Sequence, residues 1–347
     1  MHVLSVSSLK GGVGKTTVAL GLASAAFARG LRTLVVDLDP QCDASTGLGA
    51  IGEFRETVAD VLASPKHNVV HRAIVSSSWG KVQSGHIDVM MGSPKALAFD
   101  NPNPTIRDVW KLEEALSRIE KDYDLVIIDT PPSINGLTRT AWVASDRVLL
   151  VSEPSIFSVV AADRASRAIK ELSDGLTPRL QLLGLVINRI RTQSKEHAFR
   201  AQELKDMFQE NLLSVQIEER STIQQAQGAA RPIHTWPGEQ AAELAKIFDE
   251  ILQSAIISFQ QYVPSRRERK ESKKANRLSK VLRGQSLDDV LRLEAFESAD
   301  PETDLPTAPS RPVDPKYLSP LEQLEALASL QYPAAEPPTV TDDQQKN

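Results

Sequence analysis

The residues with the clearest chemical potential form one stretch near the N-terminus, SSLKGGVGKTT at positions 7–17. Its glycines allow consecutive backbone N–H groups to turn around an anion without Cβ clashes. Lys15 is spaced to reach the β- and γ-phosphates of a nucleotide, and the Thr16 hydroxyl is spaced to bind Mg²⁺. The residues predicted to bind the phosphates are Gly11, Gly12, Val13, Gly14, Lys15, Thr16 and Thr17.

The segments on either side of this loop have the composition needed to position it. Residues 2–6 form a short β-prone run, and residues 18–26 are small, apolar and compatible with a helix. A strand, a glycine-rich turn and a helix in that order are the context of a phosphate-binding loop. The helix N-terminus adds a partial positive charge at the anion.

Two further apolar runs end in carboxylates. Residues 31–36 lead into Asp37 and Asp39, and residues 125–128 lead into Asp129. Doubly wound sheets bind their ligands at the carboxyl ends of such buried parallel strands. We therefore expect Asp129 to hold Mg²⁺, which prefers oxygen ligands and retains several waters.

The alternation of apolar strands with amphipathic helices continues to residue 263. It predicts an α/β fold, a doubly wound and mostly parallel sheet with helices on both faces. The helices include one over residues 106–121 and a long closing helix from residue 241.

Composition excludes several classes of protein. The 347 residues are 41% hydrophobic, which is sufficient for a sizeable core, and the net charge is −5, without a nucleic-acid bias in the chain as a whole. A single cysteine, Cys42, excludes a disulfide framework and an iron–sulfur site within one chain. We find no signal-peptide pattern and no apolar run long enough to span a bilayer.

The chain divides into three parts by charge and proline content: 1–263, 264–284 and 285–347. The second part carries nine Lys/Arg against two Glu, and the third carries 13 Asp/Glu against four Lys/Arg. We predict that the proline-rich third part is mostly disordered, with helical segments over 278–296 and 318–330. The basic part is interpreted in three ways: a solvated charge run, a non-specific DNA contact or a membrane-surface helix.

Three motifs together resemble the deviant Walker A ATPases of the ParA/MinD family. They are the loop with its extra Lys10, the sequence D-x-D-P-Q at 37–41 and the sequence D-T-P-P-S at 129–133, which we call switch II. The D-x-D-P-Q motif resembles the ParA branch specifically. The resemblance covers residues 1–255, and the small type without an N-terminal helix-turn-helix domain is implied because the first strand begins at residue 2.

The resemblance implies a role for each site residue. Lys10, Lys15 and Asp39 are the predicted catalytic residues: Lys10 reaches the partner's phosphates across an ATP-bound homodimer, and Asp39 positions or activates the attacking water. Asn188 is predicted to bind the adenine. The predicted metal-site residues are Thr16, Asp37, Asp39 and Asp129, and the predicted DNA contacts are Arg191, Arg220 and Arg231.

By this resemblance the chain is predicted to be an ATP- and Mg²⁺-dependent DNA partition ATPase. The dimer would bind DNA non-specifically and be released when a ParB-like partner stimulates hydrolysis, in the cytoplasm at the nucleoid and without a stable membrane anchor. The alternative is a related ATPase that positions a division site, a membrane cargo or a protein assembly. A reductase of the nitrogenase iron-protein kind is disfavoured by the single cysteine, and a bacterial tyrosine kinase by the few C-terminal tyrosines. A non-hydrolysing interaction protein is a further alternative.

Overall fold

The computed structural model describes residues 1–51, 55–82, 85–261 and 284–298. Its strands are β1 His2–Ser7, β2 Arg32–Asp37, β3 Ala50–Ile51, β4 Ile74–Val82, β5 Gly85–Met90, β6 Leu125–Asp129, β7 Arg147–Ser152, β8 Gln181–Ile190 and β9 Leu212–Glu218. Its α-helices are α1 Lys15–Ala28, α2 Asp43–Gly47, α3 Val58–Ala63, α4 His67–Arg72, α5 Ile106–Val109, α6 Lys111–Leu116, α7 Gly136–Val143, α8 Ile156–Gly175, α9 Lys195–Phe208, α10 Ser221–Gly228, α11 Glu239–Gln261 and α12 Leu287–Ser298. Short 3₁₀ helices occupy Pro94–Phe99, Gln209–Asn211 and Ile233–Thr235.

The strands form one sheet in the order β3-β4-β5-β2-β6-β1-β7-β8-β9. The strands from β5 to β9 in this order pair in parallel, and only β3 with β4 and β4 with β5 are antiparallel. Strand order reverses on either side of β1, as it does in doubly wound sheets. The predicted fold class is therefore confirmed.

Both faces of the sheet are covered because its central strands are apolar on both sides. On β6, Leu125 and Ile127 pack into the core under α1 and α11, whereas Val126 and Ile128 pack into a second core with α3, α6 and α7. A third cluster, around β7 and β8, includes residues of α8 and α9. Such two-sided burial explains why these strands read as continuous apolar runs.

The carboxyl ends of the central strands meet at one edge. Asp37 at the end of β2 is the register partner of Asp129 at the end of β6, and Val6 near the end of β1 also pairs with Asp129. The phosphate-binding loop leaves β1 at this edge, so sheet register alone brings the loop and both acids together.

Two segments differ from the sequence interpretation. The helix predicted over 106–121 is divided into α5 and α6 at Trp110, and α5 is a single turn closed by a Thr105–Asp108 capping box. A helix was predicted over 278–296, and the structure has α12 at Leu287–Ser298, inside the same compact unit as residue 1. The structure does not describe residues 262–283, which include most of the basic part. It also does not describe residues 299–347, which include the predicted helical segment 318–330.

Among the described residues, none of the helices is both long enough and apolar enough to cross a membrane.

Candidate functional site

The phosphate-binding loop is shaped by two glycines in the left-handed region. Gly12 has φ +78° and Gly14 has φ +89°, and Gly14 is also the residue that precedes α1. Val13 between them is fully buried and fixes the loop on the core. A residue with a Cβ is strained at both glycine positions. The local sequence therefore dictates a tight turn that opens onto a helix N-terminus.

Lys15 points into the protein and is only 6% exposed. Burial lowers the pKa of its ammonium group, and the nearby carboxylates of Asp129 and Asp39 counteract that shift. The charge of Lys15 thus lies near the carboxylates of Asp129 and Asp39.

Asp37 and Asp129 form the acidic floor of the site, and both are fully buried. Asp37 accepts hydrogen bonds at Oδ2 from the Ser45 backbone N–H at 2.7 Å and from Ser45 Oγ at 2.6 Å. Asp129 accepts a hydrogen bond at Oδ2 from Thr16 Oγ1 at 2.7 Å. The other oxygen of each carboxylate, Oδ1, is buried without a hydrogen-bond partner.

Two unpartnered carboxylate oxygens beside a threonine hydroxyl are a donor set that suits a hard divalent cation. Burial raises the pKa of Asp37 to about 6. Burial and the neighbouring Asp37 also raise the pKa of Asp129. Asp37, Asp129 and Thr16 would hold such a cation, whose charge would favour the ionised carboxylates. The described residues contain no cluster of three or more His, Cys, Asp or Glu suited to a metal.

Asp39 lies at the mouth of the same site and is 9% exposed. Its Oδ1 accepts a hydrogen bond from the Gln41 backbone N–H at 3.0 Å, which orients the carboxylate. Burial raises its pKa, while the hydrogen bond and Lys15 counteract the shift. Asp39 is therefore placed where a carboxylate can contact both Lys15 and solvent.

Lys10 takes a different direction from Lys15. Its ammonium group forms an ion pair with Glu153 and donates a hydrogen bond to Ser155 Oγ at 3.0 Å, in the loop between β7 and α8. The Lys10 side chain remains 31% exposed. The two lysines of one loop thus have separate surroundings, one buried and one at the surface.

Asn188, at the carboxyl end of β8, is 2% exposed. Its amide Nδ2 donates to the Val13 carbonyl at 2.7 Å, and a Cβ at position 14 would collide with that amide. Arg189, in the left-handed conformation at φ +57°, donates to the Gly12 carbonyl at 2.7 Å. In this structure both residues brace the phosphate-binding loop, and the adenine role of Asn188 stays a prediction.

The three arginines predicted to contact DNA have partners in the protein. Arg191 Nε lies 2.5 Å from Glu219 Oε2, and Arg220 Nη2 lies 2.7 Å from Glu218 Oε2. Arg231 lies over the Trp236 ring, 5.6 Å from its centroid. Arg191 shares Glu219 with Arg189, which donates to the Gly12 carbonyl of the phosphate-binding loop.

Four residues of the site were missed by sequence reasoning: Ser45, Asp100, Glu153 and Ser155. Ser45 and Glu153 are the partners of Asp37 and Lys10, and Asp100 accepts hydrogen bonds from the segment after switch II. A signal existed for Glu153, which follows a buried apolar strand as Asp37 and Asp129 do. The other pairings join residues far apart in sequence or lack a local motif.

Both the sequence and the structure of this chain are similar to those of known proteins. The profile of the AAA domain family matches residues 1–182. The chromosome partitioning protein ParA of Caulobacter vibrioides is 31% identical over 238 residues, which are 67% of this chain and 86% of that protein.

Two solved structures have a similar fold. Cyanothece McdA in complex with ATP superposes with a TM-score of 0.61 at 19% identity, covering 74% of this chain and 96% of that chain. The cell division ATPase MinD of Pyrococcus furiosus superposes with a TM-score of 0.57 at 23% identity, covering 74% of this chain and 98% of that chain. At these identities the structural matches establish the fold.

Proposed function

The chain belongs to the ParA/MinD superfamily of P-loop ATPases, and we propose that it is a Mg²⁺-dependent ATPase that dimerises on ATP to partition DNA. The observation that carries the ATPase assignment is the pair of orphaned oxygens, Asp37 Oδ1 and Asp129 Oδ1, beside Thr16 and Lys15. Buried carboxylate oxygens without a partner are costly, so a bound cation explains why they are there.

Phosphoryl transfer to water depends on positioning and charge neutralisation more than on covalent chemistry. The backbone of Gly11–Gly14 binds the phosphates, and Lys15 neutralises the charge that develops on them. Thr16, Asp37 and Asp129 would hold Mg²⁺, which when bound neutralises phosphate charge. Asp39 orients the attacking water and accepts its proton, which its raised pKa favours.

Lys10 supplies the link between catalysis and assembly. The Lys10 side chain is 31% exposed, and Lys15 is the lysine that serves the phosphate site of the same chain. Once Lys10 leaves Glu153, it can therefore reach outward from the loop. In the proposed dimer Lys10 exchanges Glu153 for the γ-phosphate bound to the partner subunit. Dimerisation and ATP binding are thereby coupled, because each contributes to the same contact.

The proposed cargo is DNA, bound without sequence preference, and the proposed regulator is a ParB-like protein that stimulates hydrolysis. The partition function of the Caulobacter relative supports this. The basic segment 264–284 is a further source of phosphate contacts in the sequence, together with Arg191, Arg220 and Arg231.

A second candidate is a related ATPase with a protein assembly or a division site as its cargo. The observation that favours it is the pairing of Arg191 and Arg220 with glutamates, which reduces their charge toward phosphate. The likeness to McdA and MinD is compatible with either cargo at the level of fold.

DNA binding by the Asp39→Ala protein, with and without ATP, tests the choice between these candidates. We expect ATP-dependent binding to unrelated duplexes that weakens steeply with salt. Replacing the Lys and Arg residues of 264–283 by Gln tests the basic segment while residues 284–298 stay unchanged. Failure of the ATP-bound protein to bind any DNA would favour the second candidate.

A further inference from the structure

The segment 284–298 lies beyond residues 1–182, which match the AAA domain family, yet it is attached to the ATPase body. An isolated antiparallel bridge joins Ser286 to Thr105, just before α5. The Ile106 N–H donates to the Gln285 carbonyl at 3.1 Å, and the Leu287 N–H donates to the Pro104 carbonyl at 2.9 Å. These contacts pin the start of α12 to the loop that precedes α5.

Side chains extend the attachment to α7 and α8. Leu287 is fully buried and Val290 is 5% exposed, both in the core cluster that contains Trp142 and Ile106. Leu291 packs on Gly175 at the end of α8, where any larger residue would collide with it. Asp288 forms an ion pair with Arg139 of α7. The segment therefore contacts the loop before α5, α7 and α8 at once.

Two of these three elements also position switch II, residues 129–133. Helix α7 begins at Gly136, only three residues after switch II ends. The Gly136 N–H donates to the Asn101 carbonyl at 2.8 Å, and the Leu137 N–H donates to Asp100 Oδ1 at 3.1 Å. Asn135 Nδ2 donates to Asp100 Oδ2 at 3.2 Å. Residues 100–101 thus hold the entry to α7 directly.

We propose that residues 284–298 form a strap that positions switch II through the Asp288–Arg139 ion pair and the backbone contacts to residues 104–106. The strap joins the two pieces, loop 100–105 and α7, whose mutual hydrogen bonds fix the exit of switch II. Its role in ATP binding rests on the proposed function, whereas its role in ordering the exit of switch II does not. Asp288 and Leu287 are positioning residues and do not touch the phosphate site.

Hydrogen exchange of the Gly136 and Leu137 amides in the nucleotide-free, full-length protein measures this ordering directly. We expect Asp288→Asn to accelerate their exchange about three-fold, since it weakens one partly exposed ion pair, and Leu287→Ala to accelerate it more. Asp289→Asn is the matched control, because Asp289 is exposed on the same helix and the charge change is identical. The Ile127 amide of the fully buried strand β6, which pairs with β1 and β2, reports on global unfolding.

Reversing the pair, with Arg139→Asp and Asp288→Arg in one chain, should restore slow exchange at Gly136 and Leu137. An equal acceleration at Ile127, or no difference between Asp288→Asn and Asp289→Asn, would overturn the strap.

The KM for ATP distinguishes a strap that positions switch II from a segment that only stabilises the fold. A looser switch II must be ordered when ATP binds, so Asp288→Asn should raise the KM for ATP about two-fold with a smaller change in kcat. If exchange responds as expected but the unmodified protein hydrolyses no ATP, the strap stands and the proposed function fails. If hydrolysis is normal and exchange is unaffected by Asp288→Asn, the strap fails and the proposed function stands.

Discussion

Lys15 and Lys10 stand five residues apart in one loop, but they occupy opposite environments. Lys15 is 6% exposed and faces Asp129 and Asp39. Lys10 is 31% exposed and is held by Glu153 and Ser155. We call the surroundings of Lys15 the buried half of the site and those of Lys10 the exposed half. The buried half is formed entirely within one chain, whereas in the exposed half Lys10 is held only by Glu153 and Ser155. Our proposal assigns nucleotide binding to the buried half and the response to assembly to the exposed half.

The strongest test of the buried half is Lys15→Ala. The change removes a charged donor that the loop directs at the phosphates, so affinity for ATP should fall roughly 300-fold or more. Isothermal titration of ATP measures the loss. Lys10→Ala is the matched control and should retain the affinity of the monomer. Equal losses in both variants would remove the distinction between the two halves.

Asp39→Ala tests the mouth of the buried half. Loss of the carboxylate that orients water should reduce kcat roughly 100-fold or more, while ATP binding is retained. Phosphate release with saturating ATP measures this, and Asp43→Ala, an exposed acid four residues later, serves as the control. Hydrolysis at the original rate in Asp39→Ala would contradict its assigned role.

The buried carboxylate of Asp37 should make the stability of the folded protein depend on pH. The pKa of Asp37 is raised to about 6 in the folded chain, so the ionised carboxylate costs about 3 kcal/mol at neutral pH relative to its unfolded value. The folded state binds this proton more tightly than the unfolded state does. Stability of the nucleotide-free protein should therefore increase as pH falls from about 7 toward 4 through this group.

Denaturant unfolding of Asp37→Asn against the unmodified protein isolates that contribution. The variant should be more stable at pH 7, and the difference should vanish near pH 4. Mg²⁺ with nucleotide should narrow the difference at pH 7, because a cation favours the ionised aspartate. A variant that is less stable than the original chain at pH 7 would contradict the raised pKa.

Glu153→Gln tests the exposed half and should have the smallest effect. It removes the ion pair that holds Lys10, so the ATP concentration needed for dimerisation should fall about two- to five-fold. Analytical ultracentrifugation across an ATP series measures the midpoint. Glu113→Gln is the control, since Glu113 is a similarly exposed acid that pairs with Arg179. An unchanged midpoint in Glu153→Gln would mean that Glu153 does not restrain Lys10.

The buried half of the site is also the predictable half. Loop, strand ends and sheet order follow from local motifs and apolar runs, because parallel register alone places Asp37 beside Asp129. The exposed half and the strap both depend on contacts between residues that are far apart in the sequence. Glu153 lies 143 positions from Lys10, and Asp288 lies 149 positions from Arg139. No periodicity or motif encodes either pairing.

The docking of the strap on the rest of the protein was likewise not predictable from the sequence. The sequence predicted a helix over 278–296, but a charged and proline-rich neighbourhood obscured the apolar stripe of Leu287, Val290 and Leu291 that packs on α8. Three apolar positions in one short helix are too few to predict docking. Only the surface formed by α5, α7 and α8 makes that stripe a buried one.

The proposed action of Lys10 across a dimer is tested most directly by the mass of the Asp39→Ala protein. Light scattering during size-exclusion chromatography should give a monomer without nucleotide and a dimer with ATP and Mg²⁺. The Lys10→Ala, Asp39→Ala double variant should bind ATP and remain a monomer. A dimer formed equally well without the Lys10 side chain would contradict the claim.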